Sequence, residues 1–178
     1  VSDTTQLLPL VEDLEKKHSQ IHRDIDTAEG DKGYDSEENC CRLYDEHGIK
    51  PVIDIRRMWR DKETKLLDPG HSDNIVYDEV GTVYCLCPQT GEQRRMAYGG
   101  FERDRMALKY ICPAKAYGLR CKGSDQCEHA MKSERIGLEI DRRIFTPVAR
   151  SSYAWEREYK KRTAVERVNS RLDVSFGF

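Results

Sequence analysis

The 178-residue chain carries 30 Lys and Arg against 32 Asp and Glu, a formal net charge of -2. That length suffices for one ordinary domain with a core, or for one domain carrying a small insertion, and not for two full domains. With 35% charged residues and no apolar run long enough to cross a bilayer, the sequence reads as a soluble chain with no membrane partner. The charge is uneven: the first 50 residues are acidic, whereas residues 142 to 171 carry nine Lys and Arg against Glu156, Glu158 and Glu166. A polyanion suits that basic end. The chain opens on Val1 and runs directly into a helical pattern, with neither an initiator Met nor a signal-like leader, so it reads as part of a longer frame.

In chain order, residues 3 to 20 predict a helix, with Asp3 and Gln6 as a capping pair and Leu7, Val11, Leu14 and His18 on one stripe. A short extended segment near Ile25 leads into the Asp31 loop. Asp35 and Glu38 form a second capping pattern, Cys40, Leu43, Tyr44 and His47 share a helical face, and Gly48 stops that helix before the β-rich run KPVIDI. Helix, strand, helix, strand implies an α/β unit. From about Met58 to Glu139 the rhythm breaks: NIVYDEVGTVYCLCP predicts a hairpin turning at Glu79 to Gly81, inside a small β-rich insertion. The longest helix is expected from Tyr153 to Asp173, capped by Ser151 or Ser152, with Val165, Val168 and Leu172 as its buried seam. The expected division is therefore residues 1–57 and 141–178 as the core, with 58–140 inserted.

Seven cysteines are an odd count, and the chain lacks a secretory leader, so a disulfide framework is not expected. Cys85, Cys87, Cys112, Cys121 and Cys127 fall in the irregular insertion with His129 close behind. A loop-rich segment gains much of its folding energy from a tetrahedral metal site, and thiolates are soft ligands suited to structural Zn2+. The candidate ligands are Cys87, Cys112, Cys121 and Cys127, with Cys85 and His129 in reserve; free buried thiols are the alternative. Cys40 and Cys41 read as core or half-buried thiols, and His18, His22, His47 and His71 as surface or cap residues.

On a helix turning about 100° per residue, Tyr159, Arg162, Glu166 and Asp173 share one face. A Glu among Lys160, Lys161, Arg162, Arg167 and Arg171 has an ordinary reading as an exposed ion-pair partner. Asp31 in GDKGYD likewise has an ordinary reading as a turn residue.

DKGYDS at Asp31 to Ser36, followed by Tyr159, Arg162 and Glu166 in the Y-x2-R-x3-E spacing within KKRTAVERVNSRLD, resembles the catalytic half of bacterial insertion-sequence transposases of the DDE type. SDTTQLLPLV resembles their segment after the first catalytic Asp, so the resemblance covers nearly the whole chain. It implies a partial ribonuclease-H-like α/β core with a Cys-containing β-rich insertion. Asp31 and Glu166 would be the second and third carboxylates, holding Mg2+ or Mn2+ for phosphodiester cleavage and strand transfer. Tyr159, Arg162, Lys160, Lys161, Arg167 and Arg171 would contact double-stranded DNA, both transposon ends and target. A homo-oligomer in the active complex and a bacterial cytoplasmic, nucleoid-associated location follow from the same resemblance.

Two departures stand out. Asp173 occupies a position where the family signature has Lys, and the first catalytic Asp is expected upstream of Val1, since Asp24 and Asp26 lie on the wrong element. The fragment alone is therefore expected to be inactive as a nuclease. The competing reading is a non-catalytic, zinc-stabilised DNA-binding or interaction protein, a transposase remnant. A zinc hydrolase built on the cysteines is disfavoured, because five thiols leave no obvious open coordination position and no HExxH accompanies them.

Overall fold

The computed structural model describes residues 3–68 and 72–176 of a mixed α/β protein. The side chains of Leu172 and Asp173, and all of His71, lie outside the described residues. The chain divides into two compact units, residues 1–56 with 152–178, and residues 57–151. Residues 141–151, grouped with the basic helix in the sequence reading, cluster with the second unit.

In the first unit, a 3-10 turn at Asp3–Thr5 precedes α1 (Leu7–Lys17) and α2 (Ser19–Asp24). The single helix expected over residues 3 to 20 is thus three pieces. Gln6 takes the cap position without a side-chain bond, so the Asp3–Gln6 capping pair does not form; Gln6 N–H donates to the backbone carbonyl of Asp3 instead. Strand β1 (Thr27–Gly30) follows, then a 3-10 turn at Lys32–Tyr34, α3 (Glu37–Asp45) and β2 (Lys50–Ile53). Ser36 caps α3 by accepting from the Asn39 amide at 3.1 Å, one residue later than expected, while Asp35 accepts from the Arg56 amide.

β1 and β2 pair in parallel, Thr27 opposite Lys50 and Gly30 opposite Ile53. A parallel pair needs a crossover, and α3 supplies it. The core is aliphatic: Leu8 and Val11 of α1, Leu43 of α3, and Ile49 and Ile53 around β2, with Leu7, Ile25, Ala28 and Tyr34 closing over them.

The expected long C-terminal helix is broken into α5 (Tyr153–Tyr159) and α6 (Arg162–Phe176). Ser152 caps α5 through the Trp155 amide. The break comes from hydrogen-bond register and involves no Gly or Pro: Lys161 N–H reaches Glu158 O and Ala164 N–H reaches Lys161 O, both three residues back, which tightens the chain between the two helices. It is α5 that packs on β1 and β2. Val165 and Val168 of α6 are 60% and 55% exposed, so the expected buried seam is not formed there.

The second unit holds two antiparallel sheets. β3 (Thr64–Asp68), β4 (Ser72–Asp78), β5 (Val83–Leu86) and β6 (Gln93–Arg95) pair in sequence order, with the β4–β5 turn where the hairpin was expected. β7 (Ala97–Glu102), β8 (Ala107–Ile111) and β9 (Ser133–Gly137) form the other sheet, and α4 (Pro113–Tyr117) follows β8. Ile75, Val83, Leu108, Tyr110, Ile136, Leu138, Ile144 and Phe145 are fully buried, and the Tyr110 hydroxyl donates to the Gly81 carbonyl at 3.2 Å.

Candidate functional site

Asp31 directly follows β1 and Asp54 directly follows β2, and because Gly30 pairs with Ile53 the two aspartates are the next register step at the carboxyl ends of adjacent parallel strands. The Asp54 N–H donates to the Gly30 carbonyl at 3.0 Å, extending the ladder to that point. Each carboxylate has one oxygen committed to a backbone amide: Asp31 Oδ1 accepts from Gly33 at 2.7 Å, and Asp54 Oδ1 accepts from Ile55 at 2.8 Å. A Cβ at residue 33 would lie 2.8 Å from Asp31 Oδ1, so the glycine in DKG is what lets the amide reach the carboxylate. The second oxygen of each Asp has no hydrogen-bond partner among the described residues.

Tyr159 at the end of α5 stands near these strand ends. Its hydroxyl is pushed above the usual phenol range first by burial and then by the Asp54 carboxylate, with Asp31 adding in the same direction and the hydrogen-bonded Arg162 opposing. The ring is stacked on Trp155 at 4.6 Å, and the Arg162 guanidinium lies 5.4 Å from its centroid. Arg162 in turn holds Glu166 at 2.9 Å, one helical turn on. Tyr159, Arg162 and Glu166 thus form a connected polar series, whereas the carboxylates of Asp31, Asp54 and Glu166 do not all lie within 4.8 Å of one another.

Of the other basic residues, Lys160 pairs with Glu156 at 2.6 Å and Lys161 with Glu158, while Arg167 and Arg171 stand exposed on α6. Asp54 was not singled out from the sequence. Its signal was present, an Asp directly after the strand KPVI in register with Asp31, but strand pairing was needed to see it.

In the second unit, Cys85, Cys87, Cys112, Cys121, Cys127 and His129 all line one predominantly apolar pocket. Every cysteine is a free thiol. Cys87 sits at the head of a tight turn, its carbonyl accepting from Gly91 N–H at 2.8 Å. The Thr90 hydroxyl, then the Thr90 amide, with Gln89 and Gly123 amides adding, hold the Cys87 thiol down at about 7 against the opposing effect of burial. A Cβ at Gly123 would lie 2.9 Å from Cys87 Sγ, so the absence of a side chain there keeps the cradle open. Cys85, by contrast, is pushed up to about 11 by burial and then by Cys112, Cys127 and Cys121. Burial also raises Cys121, against the Gly123 amide. Cys127 Sγ accepts from Asn74 Nδ2 at 3.2 Å, and His129 Nδ1 is 2.5 Å from Glu134. Donated hydrogen bonds stabilise a thiolate, the form that binds metal, so the donor set fits Zn2+ best at Cys87.

A third cluster lies elsewhere in the first unit. Glu15, His22 and His47 bring one donor atom each within 4.8 Å of the others, and among the described residues they are the one such group of three. The thiols therefore share a pocket without closing to that separation. His22 and the side chain of His47 are 7% and 6% exposed, which corrects the expectation that they are surface or cap residues: the turn after α3 folds His47 back against α2. His18 is exposed, as expected.

No family model, no curated protein and no solved structure matches this chain.

Proposed function

We propose that the chain is part of a DDE-type transposase, with a ribonuclease-H-like first unit and a zinc-stabilised second unit. The observation that supports this reading is the placement of Asp31 and Asp54 at adjacent parallel strand ends near Tyr159, with Arg162 linking Tyr159 to Glu166. Hard carboxylate oxygens suit Mg2+ or Mn2+, and the uncommitted oxygen of Asp31 with the exposed Glu166 is the donor set for them. Bound there, such ions would activate water or a 3'-hydroxyl and stabilise the leaving oxygen of a phosphodiester.

The side chains have separable tasks. Arg162 presents a planar fork that pairs with Glu166 in the free protein and fits a DNA phosphate equally well. Tyr159 offers a hydroxyl held in place by the Trp155 stack. Lys160, Lys161, Arg167 and Arg171 add salt-sensitive affinity for the duplex backbone. In the second unit, Cys87, Cys112, Cys121 and Cys127 would hold a structural zinc once drawn closer together around the pocket they share with Cys85 and His129.

The test is a nicking and strand-transfer assay with Mg2+ on the chain together with the residues that precede it in its frame. Asp31→Asn and Glu166→Gln are each expected to abolish cutting while leaving DNA binding intact. The Arg162–Glu166 ion pair at 2.9 Å favours one rival, in which Glu166 is a helix-face charge and the protein binds DNA without cutting it. Binding without cleavage by the parent protein, or cleavage that survives Glu166→Gln, selects that rival.

A further inference from the structure

We infer that Glu15, His22 and His47 form a zinc site, separate from both the strand-end carboxylates and the thiol pocket. Glu15 comes from α1, His22 from α2 and His47 from the turn after α3, so one ion would join the three N-terminal helices of the first unit. His47 lies three residues before β2, whereas Asp54 follows it, which puts this cluster at the opposite end of the strand from the aspartates.

The spacing matches a shared ion. Two ligands bound at about 2.0–2.1 Å with a tetrahedral angle between them lie about 3.3 to 3.4 Å apart. His22 Nε2 and His47 Nδ1 are 3.2 Å apart, and His47 Nδ1 and Glu15 Oε2 are 3.6 Å apart. The rings meet edge to face, 78° between planes, so two nitrogens approach one point without stacking.

His47 is enclosed, its side chain only 6% exposed. Its Nε2 is buried and has no hydrogen-bond partner. The polar contacts that orient this enclosed ring are therefore those of Nδ1, and they aim it at His22 and Glu15. Two imidazoles and a carboxylate are a borderline-soft set that suits Zn2+ over Mg2+ or Ca2+. Glu15 is 52% exposed, which gives the ion a route in and leaves a fourth position for water. The ion would act as a clip across helices that are each too short to be stable alone.

The thiol pocket competes for zinc, so the readout must be residue-specific. Zn2+ is titrated into the full chain while the imidazole nitrogens are followed by long-range 1H–15N correlation, for the parent and for Glu15→Gln. Glu15 is half exposed and its replacement by Gln leaves the core untouched. The expected result is that His22 Nε2 and His47 Nδ1 shift together in the parent. In Glu15→Gln the affinity at these nitrogens should fall at least about tenfold, the lower end of what even outer-shell partners contribute, with His129 and His18 unchanged between the two proteins. If neither nitrogen moves when zinc is in excess over all seven cysteines, the cluster is a plain His–His hydrogen bond and the site is refuted. Unchanged binding in Glu15→Gln also refutes it as a three-ligand site.

Discussion

The two units place their candidate site residues differently, His22 and His47 being the pair that the first unit turns inward. In the first, aliphatic side chains from α1, α3 and β2 make the core, and the carboxylates of Asp31 and Glu166 stand exposed. In the second, five thiols and an imidazole from β5, the end of β8 and the turns beyond them face one shared pocket. Polar groups that a core does not need remain available for a substrate, whereas groups turned inward are available only to something that holds the fold together. The first arrangement suits catalysis on an outside polymer, and the second suits a structural ion.

The largest expected effect separates the units by metal. Removing zinc with a chelator, or replacing Cys87 by Ala, is expected to release the segment around residues 112–131. Structural zinc sites in small modules contribute on the order of 10 kcal/mol, so amide exchange in that segment should rise by several orders of magnitude. Cys87→Ala, which leaves Glu15, His22 and His47 in place, should leave exchange in the helices of the first unit unchanged. Equal exchange with and without chelator would put the thiols back among ordinary buried cysteines.

Next in size is the core of the first unit. Leu43 is fully buried among Leu8, Val11, Ile49 and Ile53, and Leu43→Ala is expected to cost about 2–5 kcal/mol through lost transfer energy and a cavity. Denaturant unfolding monitored at Trp155 reads this directly; a change below about 1 kcal/mol would mean that the aliphatic cluster is not what holds this unit.

A smaller effect belongs to Glu79 in the second unit. Burial alone would raise its carboxyl, but the amides of Trp59 and Met58 and the Arg143 guanidinium outweigh burial and hold it below the usual range. The Met58 and Trp59 bonds are 2.7 and 3.0 Å. A depressed carboxyl stabilises the folded state above its unfolded value and loses that contribution as pH falls through the folded one. The second unit should therefore weaken as pH drops below about 4.5, the ordinary carboxyl value. Glu79→Gln is expected to cost about 1–3 kcal/mol at neutral pH and to flatten that acid limb of the stability profile. An unchanged acid limb in the variant would assign the pH dependence to other carboxylates.

Some of this was legible in the sequence because it rests on local chemistry. Gly48 before KPVI marked a helix stop and a strand, Ser and Asp marked the turns, and the cysteines marked one segment. What was missed depends on register or on contacts between distant residues. Asp54 gains meaning only when β2 pairs with β1. His22 and His47 meet only because the turn after α3 brings His47 back to α2. Val165 and Val168 have the spacing of a buried seam, yet the chain tightens at Lys161 without any Gly or Pro to announce it, and α5 rather than α6 covers the strands.

The most direct test of the first unit as a metal-dependent nuclease is a switch in metal preference at Asp31. Asp31→Cys replaces a hard oxygen with a soft thiolate, and thiolates favour softer ions over Mg2+. Strand cleavage by Asp31→Cys, in the same extended protein, should fall about a thousandfold in Mg2+, the loss of several kcal/mol of transition-state stabilisation, and should recover substantially in Mn2+. Full activity of Asp31→Cys in Mg2+, or equal loss in both ions while the parent cuts with each, would contradict the assignment of Asp31 as a ligand of the catalytic metal.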